Sequence, residues 1–168
     1  MANYITTHNA QGESVLSGKV PTEAHTHSIP GGKMELLYSS HHFPSNLAVE
    51  DDIDQFAHDR THGIAGGICP SGGTAAAIVS FEPNAISAVH RTMSLDVMVI
   101  IEGVLEARLE GGEVRVLKAG DSMVQRGTMH RWKNITPNNG WAKAAAFAAA
   151  IQQPFEIAGA TLETEFRM

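Results

Sequence analysis

The sequence predicts an all-β domain, an antiparallel barrel or sandwich that carries an N-terminal arm and one short helix. Short strand-like segments separated by glycine or proline turns fill most of the chain after residue 73, a pattern typical of such folds. The length of 168 residues suits one domain. A composition of 43% hydrophobic and 18% charged residues indicates a globular chain. We therefore expect a single β domain.

The predicted arm covers residues 1–32, and the predicted barrel domain covers residues 33–168. The arm is rich in Thr, His, Ser, Gly and Pro and ends at Pro30-Gly31-Gly32, where the residues favour a turn. Directly after it, Lys33–Ser40 has the composition of a strand. We expect the arm to lie across the barrel or across a partner subunit.

The segment Glu50–Gly63 is the predicted helix. Ile53, Phe56 and Ala57 stand at positions i, i+3 and i+4, which gives a short apolar stripe. Four acidic residues crowd its first turns, where the helix dipole favours negative charge. Gly63 suits a left-handed helix end.

The strand-rich motifs of the barrel span residues 74–151. Predicted strands lie within the segments GGTAAAIVSFEP, AISAVHRTM, DVMVIIEG, SMVQRG and TMHRWKN. The segment VLEARLEGGEVRVLKAGD predicts a hairpin, because Gly111-Gly112 supplies the positive φ that a tight turn needs. Together these segments favour an antiparallel barrel or sandwich.

Trp141–Ile151 gives conflicting signals, since it holds seven alanines and alanine has the highest helix propensity. Its place after the other strands favours a last barrel strand. We predict a strand, because propensity is a weak determinant that tertiary context overrides. The even-numbered alanines would then share one face, where their small methyl groups leave space for a packed neighbour or a ligand.

Charge and cysteine content exclude several classes of function. The net charge is −6, with 12 Lys and Arg against 18 Asp and Glu, and the basic residues do not cluster. We therefore expect no nucleic-acid partner and no membrane partner. Cys69 is the only cysteine, so an intrachain disulfide is impossible. The N-terminal residues lack the pattern of a secretory signal, and we expect a cytoplasmic protein.

Two histidines and an acid recur beside strand-like residues. Residues of equal parity point to the same side of a strand, so His90 shares a face with Asp96 if the intervening turn keeps the phase. His130 lies on a second strand segment about 40 residues later. If both faces line one interior, the three side chains converge there. Such a set can hold a divalent metal, or it can transfer protons without one.

The stretch from Thr74 to Ile151 resembles a cupin, a small antiparallel jelly-roll barrel. The first cupin motif has a glycine, H-x-H, a glutamate and a closing glycine; the corresponding residues are His90-Arg91-Thr92, Asp96 and Gly103. The second motif has a glycine, then P-x-G-x-x-H-x-x-x-N. It corresponds to Gly120 and to the segment Gln125–Asn134, with one residue fewer after the glycine.

The departures from the motifs concern the metal ligands. Thr92 replaces the second histidine of H-x-H, Asp96 replaces the glutamate, and Gln125 replaces the proline. The resemblance therefore implies at most three protein ligands, which are His90, Asp96 and His130. It implies either one divalent metal, with Zn, Fe, Mn and Ni not distinguished, or none. The same three residues are the predicted catalytic groups. The predicted substrate-binding residues are Thr92, Met98, Gln125, Trp132 and Asn134.

The phrases HRTMSLD and QRGTMHRWKN, together with the arm, are similar to small single-domain cupins of fungal natural-product gene clusters. That likeness implies a lyase or isomerase that decarboxylates, dehydrates or cyclises a polyketide-like or carbonyl-containing intermediate. A non-catalytic small-molecule-binding cupin and a metal-dependent oxygenase are the alternatives. Cupins commonly pair, and an extended arm can cover exposed sheet edges, so we expect a homodimer.

Overall fold

The computed structural model describes residues 1–65 and 67–167 and has one α-helix among many short strands. Before the helix lie β1 (Thr6–His8), β2 (Ser14–Leu16), β3 (Thr26–Ile29) and β4 (Gly32–Ser40), and the helix α1 spans Asp51–His62. After it come β5 (Thr74–Phe81), β6 (Val89–Arg91), β7 (Ser94–Glu102), β8 (Val104–Leu109), β9 (Val114–Lys118), β10 (Ser122–Arg126), β11 (His130–Asn134) and β12 (Ala142–Ala150). The C-terminal segment holds β13 (Phe155–Ile157), β14 (Ala160–Leu162) and β15 (Glu165–Arg167).

Two antiparallel sheets form the body of the molecule. One has six strands in the order β10-β7-β12-β5-β4-β3, and the other has five in the order β15-β6-β11-β8-β9. In the described part of the chain they remain two separate sheets, so the fold is an open jelly roll and not a closed barrel. The predicted all-β class is confirmed. The two sheets face each other and bury a shared core.

Strand β12 confirms the prediction for the alanine-rich segment. It pairs with β5 on one side and with β7 on the other, so both of its edges are hydrogen-bonded. Its even-numbered alanines, from Ala142 to Ala148, are buried, whereas Phe147 is exposed on the opposite face. Three of them, Ala142, Ala144 and Ala146, pack in one cluster with Trp132 and Leu105 of the other sheet. Pairing on both sides outweighs the helix propensity of alanine.

The helix also forms as predicted, and it packs against β4. Phe56 of α1 is fully buried and packs with Leu36 of β4 and with Ala77 of β5. Gly63 ends the helix at φ 81°, and its N–H donates to the Asp59 carbonyl. The Asp59 side chain is buried and accepts hydrogen bonds from Ser39 Oγ at 2.8 Å and from His41 Nε2 at 2.7 Å. These contacts tie α1 to the six-stranded sheet.

Residues 1–32 lie against their own domain. Strand β3 adds to the edge of the six-stranded sheet beside β4. Asn3 Nδ2 donates to the Leu37 carbonyl at 2.5 Å, and Thr7 Oγ1 donates to Glu50 Oε1 at 2.6 Å. Lys19 Nζ forms ion pairs with Glu50 and Asp54. The arm therefore covers α1 and β4 of the same subunit.

The outer face of the six-stranded sheet carries an apolar ladder, which we define as Leu95, Val97, Val124 and Phe147. Val124 stands opposite Val97, and Val97 stands opposite Phe147. Leu95, Val124 and Phe147 are each more than 40% exposed.

Within the described residues, no helix is long and apolar enough to cross a membrane.

Candidate functional site

Two histidines meet on the inner face of the five-stranded sheet. His90 of β6 and His130 of β11 are direct cross-strand partners, so their side chains point to the same side of the sheet. Their ring centroids are 4.3 Å apart, and the ring planes are tilted by 57°. His130 also lies edge-on to Trp132 at 6.2 Å. The prediction that these two histidines lie together holds in the structure.

Each imidazole is held by a backbone carbonyl two residues earlier in the chain. His90 Nδ1 lies 2.9 Å from the Ala88 carbonyl, and His130 Nδ1 lies 2.8 Å from the Thr128 carbonyl. A carbonyl oxygen only accepts hydrogen bonds, so Nδ1 carries the hydrogen in both rings. In a neutral imidazole, Nε2 is then the acceptor. The pair thus presents two Nε2 lone pairs from fixed rings.

The two rings differ in burial. His130 is 2% exposed, and this burial, with a smaller contribution from the neighbouring His90, lowers the pKa of His130 from 6.5 to about 4. His130 is therefore neutral near pH 7. His90 is only partly buried, and it stacks on the exposed ring of Phe166 at 5.6 Å with nearly parallel planes. Access to the pair is thus through His90.

Asp96 lies in a hydrogen-bond network with two neighbouring hydroxyls. Its Oδ2 accepts from Thr92 Oγ1 at 2.7 Å, and its Oδ1 accepts from Ser94 Oγ at 2.6 Å. Strand parity placed Asp96 on the inner face of β7, but parity does not fix the distance across the sandwich between two sheets. Both carboxylate oxygens therefore bind hydroxyls at the start of β7 or in the bend just before it.

The structure does not bring the three predicted metal ligands together in one group. Among residues 1–65 and 67–167, no group of three or more His, Cys, Asp or Glu side chains is arranged to hold a metal ion. The expected set of His90, Asp96 and His130 is therefore not assembled, because Asp96 bonds to Thr92 and Ser94 instead. Two imidazoles alone fall short of the three ligands that open metal sites use.

Three of the predicted substrate-binding residues face the interior. Met98 and Trp132 are buried in the core cluster between the sheets. Gln125 is buried directly opposite Asp96 on β10. Within the described residues, Gln125 Nε2 and Trp132 Nε1 are buried N–H donors without a hydrogen-bond partner. Buried donors without acceptors are costly, and they mark positions where a ligand oxygen would be stabilised.

Asn134 lies in a network of hydrogen bonds to the backbone. Its Nδ2 donates to the carbonyls of Phe81, Glu82 and Gly140, and its Oδ1 accepts from the Thr136 N–H. The side chain is fully buried, and its hydrogen bonds join the ends of neighbouring strands. Asn134 therefore has a structural role, and its part in substrate binding stays a prediction.

Two further residues contribute to the site without having been predicted. Ser94 supplies one of the two hydroxyls that bind Asp96, and its place two residues before Asp96 on the same strand face could have indicated this. Phe166 covers His90 from β15. No motif marks Phe166, because its contact depends on how the C-terminal segment returns to β6.

Comparisons with known proteins agree with this architecture. The chain is 34% identical over 160 residues to phomopsin biosynthesis cluster protein C' of Diaporthe leptostromiformis. The aligned residues cover 95% of this chain and 82% of the relative. It is 33% identical over 141 residues to the cupin-domain-containing oxidoreductase virC of Hypocrea virens, covering 80% of this chain and 68% of the relative. No protein-family model matches the chain.

A solved structure supports the fold. The cupin domain of Schizosaccharomyces pombe Cnp3 superposes with a TM-score of 0.54 at 14% identity, covering 90% of each chain. At that identity the likeness concerns the fold alone. One of the two sequence relatives is named for a biosynthesis cluster, and the other is named for its cupin domain. From these relatives and from the two motifs on the facing sheets, the chain belongs to the cupin superfamily, among the small cupins of fungal secondary-metabolite clusters.

Proposed function

We propose that the chain is a lyase or isomerase that moves a proton on a small carbonyl-containing biosynthetic intermediate. The observation that carries the proposal is the His90–His130 pair, in which both Nδ1 atoms bind backbone carbonyls and both Nε2 atoms are acceptors. Fixed imidazoles with a free nitrogen are the commonest general bases in enzymes. Such a base can remove a proton from a carbon atom next to a carbonyl group, so we propose a substrate that contains one.

The two rings take different parts in the proposed step. Burial lowers the pKa of His130 to about 4, so this ring is a poor place to store a proton near pH 7. The partly exposed His90 is the proposed proton acceptor, at Nε2. A second positive charge at 4.3 Å is unfavourable, so the pair takes up one additional proton at most. His130 stays neutral and orients its neighbour or the substrate.

The unpartnered interior donors support a substrate with a developing negative oxygen. When a proton leaves the carbon beside a carbonyl, charge moves onto the carbonyl oxygen. Trp132 Nε1–H and Gln125 Nε2–H are buried and lack acceptors within the described residues. Donors of this kind in a water-poor site stabilise an oxyanion more strongly than water does. Either donor would therefore favour the enolate over the ketone.

An oxidoreductase is the second candidate, and the names of relatives such as virC favour it. Metal-binding histidines commonly donate their other ring N–H to a backbone carbonyl, as His90 and His130 do. A bound metal would supply a Lewis acid or a redox centre. The described residues provide two imidazoles and no third ligand beside them, so we propose no step through a metal. A binding protein without catalysis is the remaining alternative.

The proposed reaction is tested with 4-hydroxy-4-phenylbutan-2-one as a probe. Abstraction of a proton from the carbon next to the carbonyl, followed by loss of the β-hydroxyl as water, gives benzylideneacetone. Its appearance is followed by ultraviolet absorbance, and the first step is followed separately in D₂O by deuterium uptake. We expect His90→Gln to lower the rate at least about 100-fold, which is the usual contribution of a general base. His42→Asn, at an exposed histidine, is the matched control.

The same experiment separates the candidates. Untagged protein is assayed as purified, after chelator treatment, and after addition of Fe(II) with measurement of oxygen consumption. Probe turnover that survives chelation and depends on His90 supports the proton-transfer proposal. Oxygen consumption that appears only with Fe(II), without probe turnover in any sample, overturns it in favour of an oxidoreductase. Equal rates for the wild type and for His90→Gln also overturn it.

A further inference from the structure

A cavity of about 380 Å³ lies at the bend between β6 and β7, and neither histidine of the pair lines it. Its walls come from the loop before β5, the bend after β6, the end of β12 and the C-terminal segment. The lining includes Cys69, Thr92, Ser94, Gln153 and Glu163. This volume falls in the range of about 300–1,000 Å³ that is typical of small-molecule sites.

Two hydroxyls of the cavity wall have a fixed polarity. Thr92 Oγ1 and Ser94 Oγ bind the two oxygens of the buried Asp96 at 2.7 Å and 2.6 Å, distances typical of a hydroxyl donating to a carboxylate. An ionised carboxylate only accepts hydrogen bonds, so each hydroxyl donates its single hydrogen to Asp96. The lone pairs of Thr92 and Ser94 remain, and the wall therefore offers acceptors to a ligand.

The charge of the cavity is negative. Glu163 is exposed in the wall, and the described lining residues include no Lys, Arg or His. Burial and, to a smaller extent, the charge of Asp96 raise the pKa of the Cys69 thiol to about 11, so this thiol is neutral near pH 7. Two carboxylates thus act on the cavity without a basic side chain in its described wall.

We propose that this cavity binds a protonated organic amine. An ammonium group has hydrogen-bond donors and no acceptor, which matches the lone pairs of Thr92 and Ser94. Its positive charge is favoured by Asp96 beneath the wall and by Glu163 in it. An anionic ligand would meet two like charges there. The inference goes beyond the proposed reaction, because it requires binding and no proton transfer.

The test uses three probes of nearly equal size on the full chain at pH 7 and low salt. They are 2-phenylethylamine, which is protonated at this pH, the neutral 2-phenylethanol and the anionic phenylacetate. Isothermal titration calorimetry is expected to give a dissociation constant at least about tenfold lower for the amine than for the other two. A tenfold difference corresponds to about 1.4 kcal/mol, well within the energy of one partly buried ion pair.

Variants assign the binding to the cavity. Asp96→Asn removes the buried charge, and we expect it to weaken amine binding about tenfold. Glu163→Gln removes an exposed charge, so its expected effect is about two- to fivefold. Glu156→Gln is the matched control, because Glu156 is an exposed acid of the same C-terminal segment outside the cavity lining. Circular dichroism verifies the fold of each variant.

The inference is overturned if the amine does not bind, or if the alcohol or the acid binds as tightly. It is also overturned if Glu163→Gln and Glu156→Gln weaken amine binding equally. Because Glu163 is exposed, its variant keeps the test decisive if Asp96→Asn fails to fold. Amine binding is independent of the proposed reaction, since His90→Gln is expected to retain it while losing turnover.

Discussion

Replacement of His130 by Asn should remove a specific part of the pH dependence of stability. Asn keeps a side-chain N–H for the Thr128 carbonyl, which His130 Nδ1 binds at 2.8 Å, but it cannot titrate. Burial and His90 lower the pKa of His130 from 6.5 in the unfolded chain to about 4 in the folded one. A difference of this size corresponds to about 3 kcal/mol of unfolding free energy.

The sign of the effect follows from proton uptake. Above pH 6.5 the ring is neutral in both states, and its contribution to stability is complete. As the pH falls from 6.5 to about 4, the unfolded chain binds the proton and the folded chain does not, so stability is lost over this window. The wild type should therefore lose about 3 kcal/mol more than His130→Asn between pH 7 and pH 4.

Urea unfolding followed by tryptophan fluorescence measures this difference at several pH values. Carboxylates titrate in both proteins, so their contributions cancel when the two curves are subtracted. His42→Asn, an exposed histidine, controls for the loss of any imidazole and should follow the wild type. Parallel pH curves for the wild type and for His130→Asn would refute the claim that His130 is buried as a neutral ring.

Three further changes have expected outcomes. Asp96→Ala leaves the buried hydroxyls of Thr92 and Ser94 without their acceptor, so urea unfolding should show a loss of about 2 kcal/mol; an unchanged midpoint would contradict the network. Asn134→Ala leaves three backbone carbonyls without their donor and should cost about 3 kcal/mol by the same assay; a loss below about 1 kcal/mol would contradict this role. The homodimer stays a prediction, and the exposed apolar ladder is its expected interface. Phe147→Lys places a charge in this ladder. Sedimentation should show a dimer for the wild type and a monomer for the variant. A monomeric wild type would contradict it.

Much of the architecture could be predicted because it depends on local patterns. The helix over residues 51–62 follows from apolar spacing and from acids at its start. The hairpin of β8 and β9 follows from Gly111-Gly112, with Gly112 at φ 91°. For β12 the local propensity was misleading, and the position in the chain gave the right structure.

The site was predictable only in part. The cross-strand partnership of His90 and His130 agrees with the motif spacing and with strand parity. The direction of the Asp96 carboxylate was not predictable, because parity gives a face but not a rotamer or a hydrogen-bond partner. The role of Asn134 also required the positions of the distant carbonyls of Phe81 and Glu82. Long-range contacts of this kind leave no periodic signal in the sequence.

Nitrogen-15 NMR of the histidine rings at pH 7 tests the central claim, that two fixed imidazoles present their Nε2 atoms as acceptors. We expect His90 and His130 both to carry the hydrogen on Nδ1, as their bonds to the Ala88 and Thr128 carbonyls require. We also expect His130 to stay neutral down to about pH 5, since burial lowers its pKa to about 4. Assignments come from the loss of each signal in His90→Gln and in His130→Asn. A hydrogen on Nε2 of either ring, or a His130 that is already protonated near pH 6.5, would contradict the account.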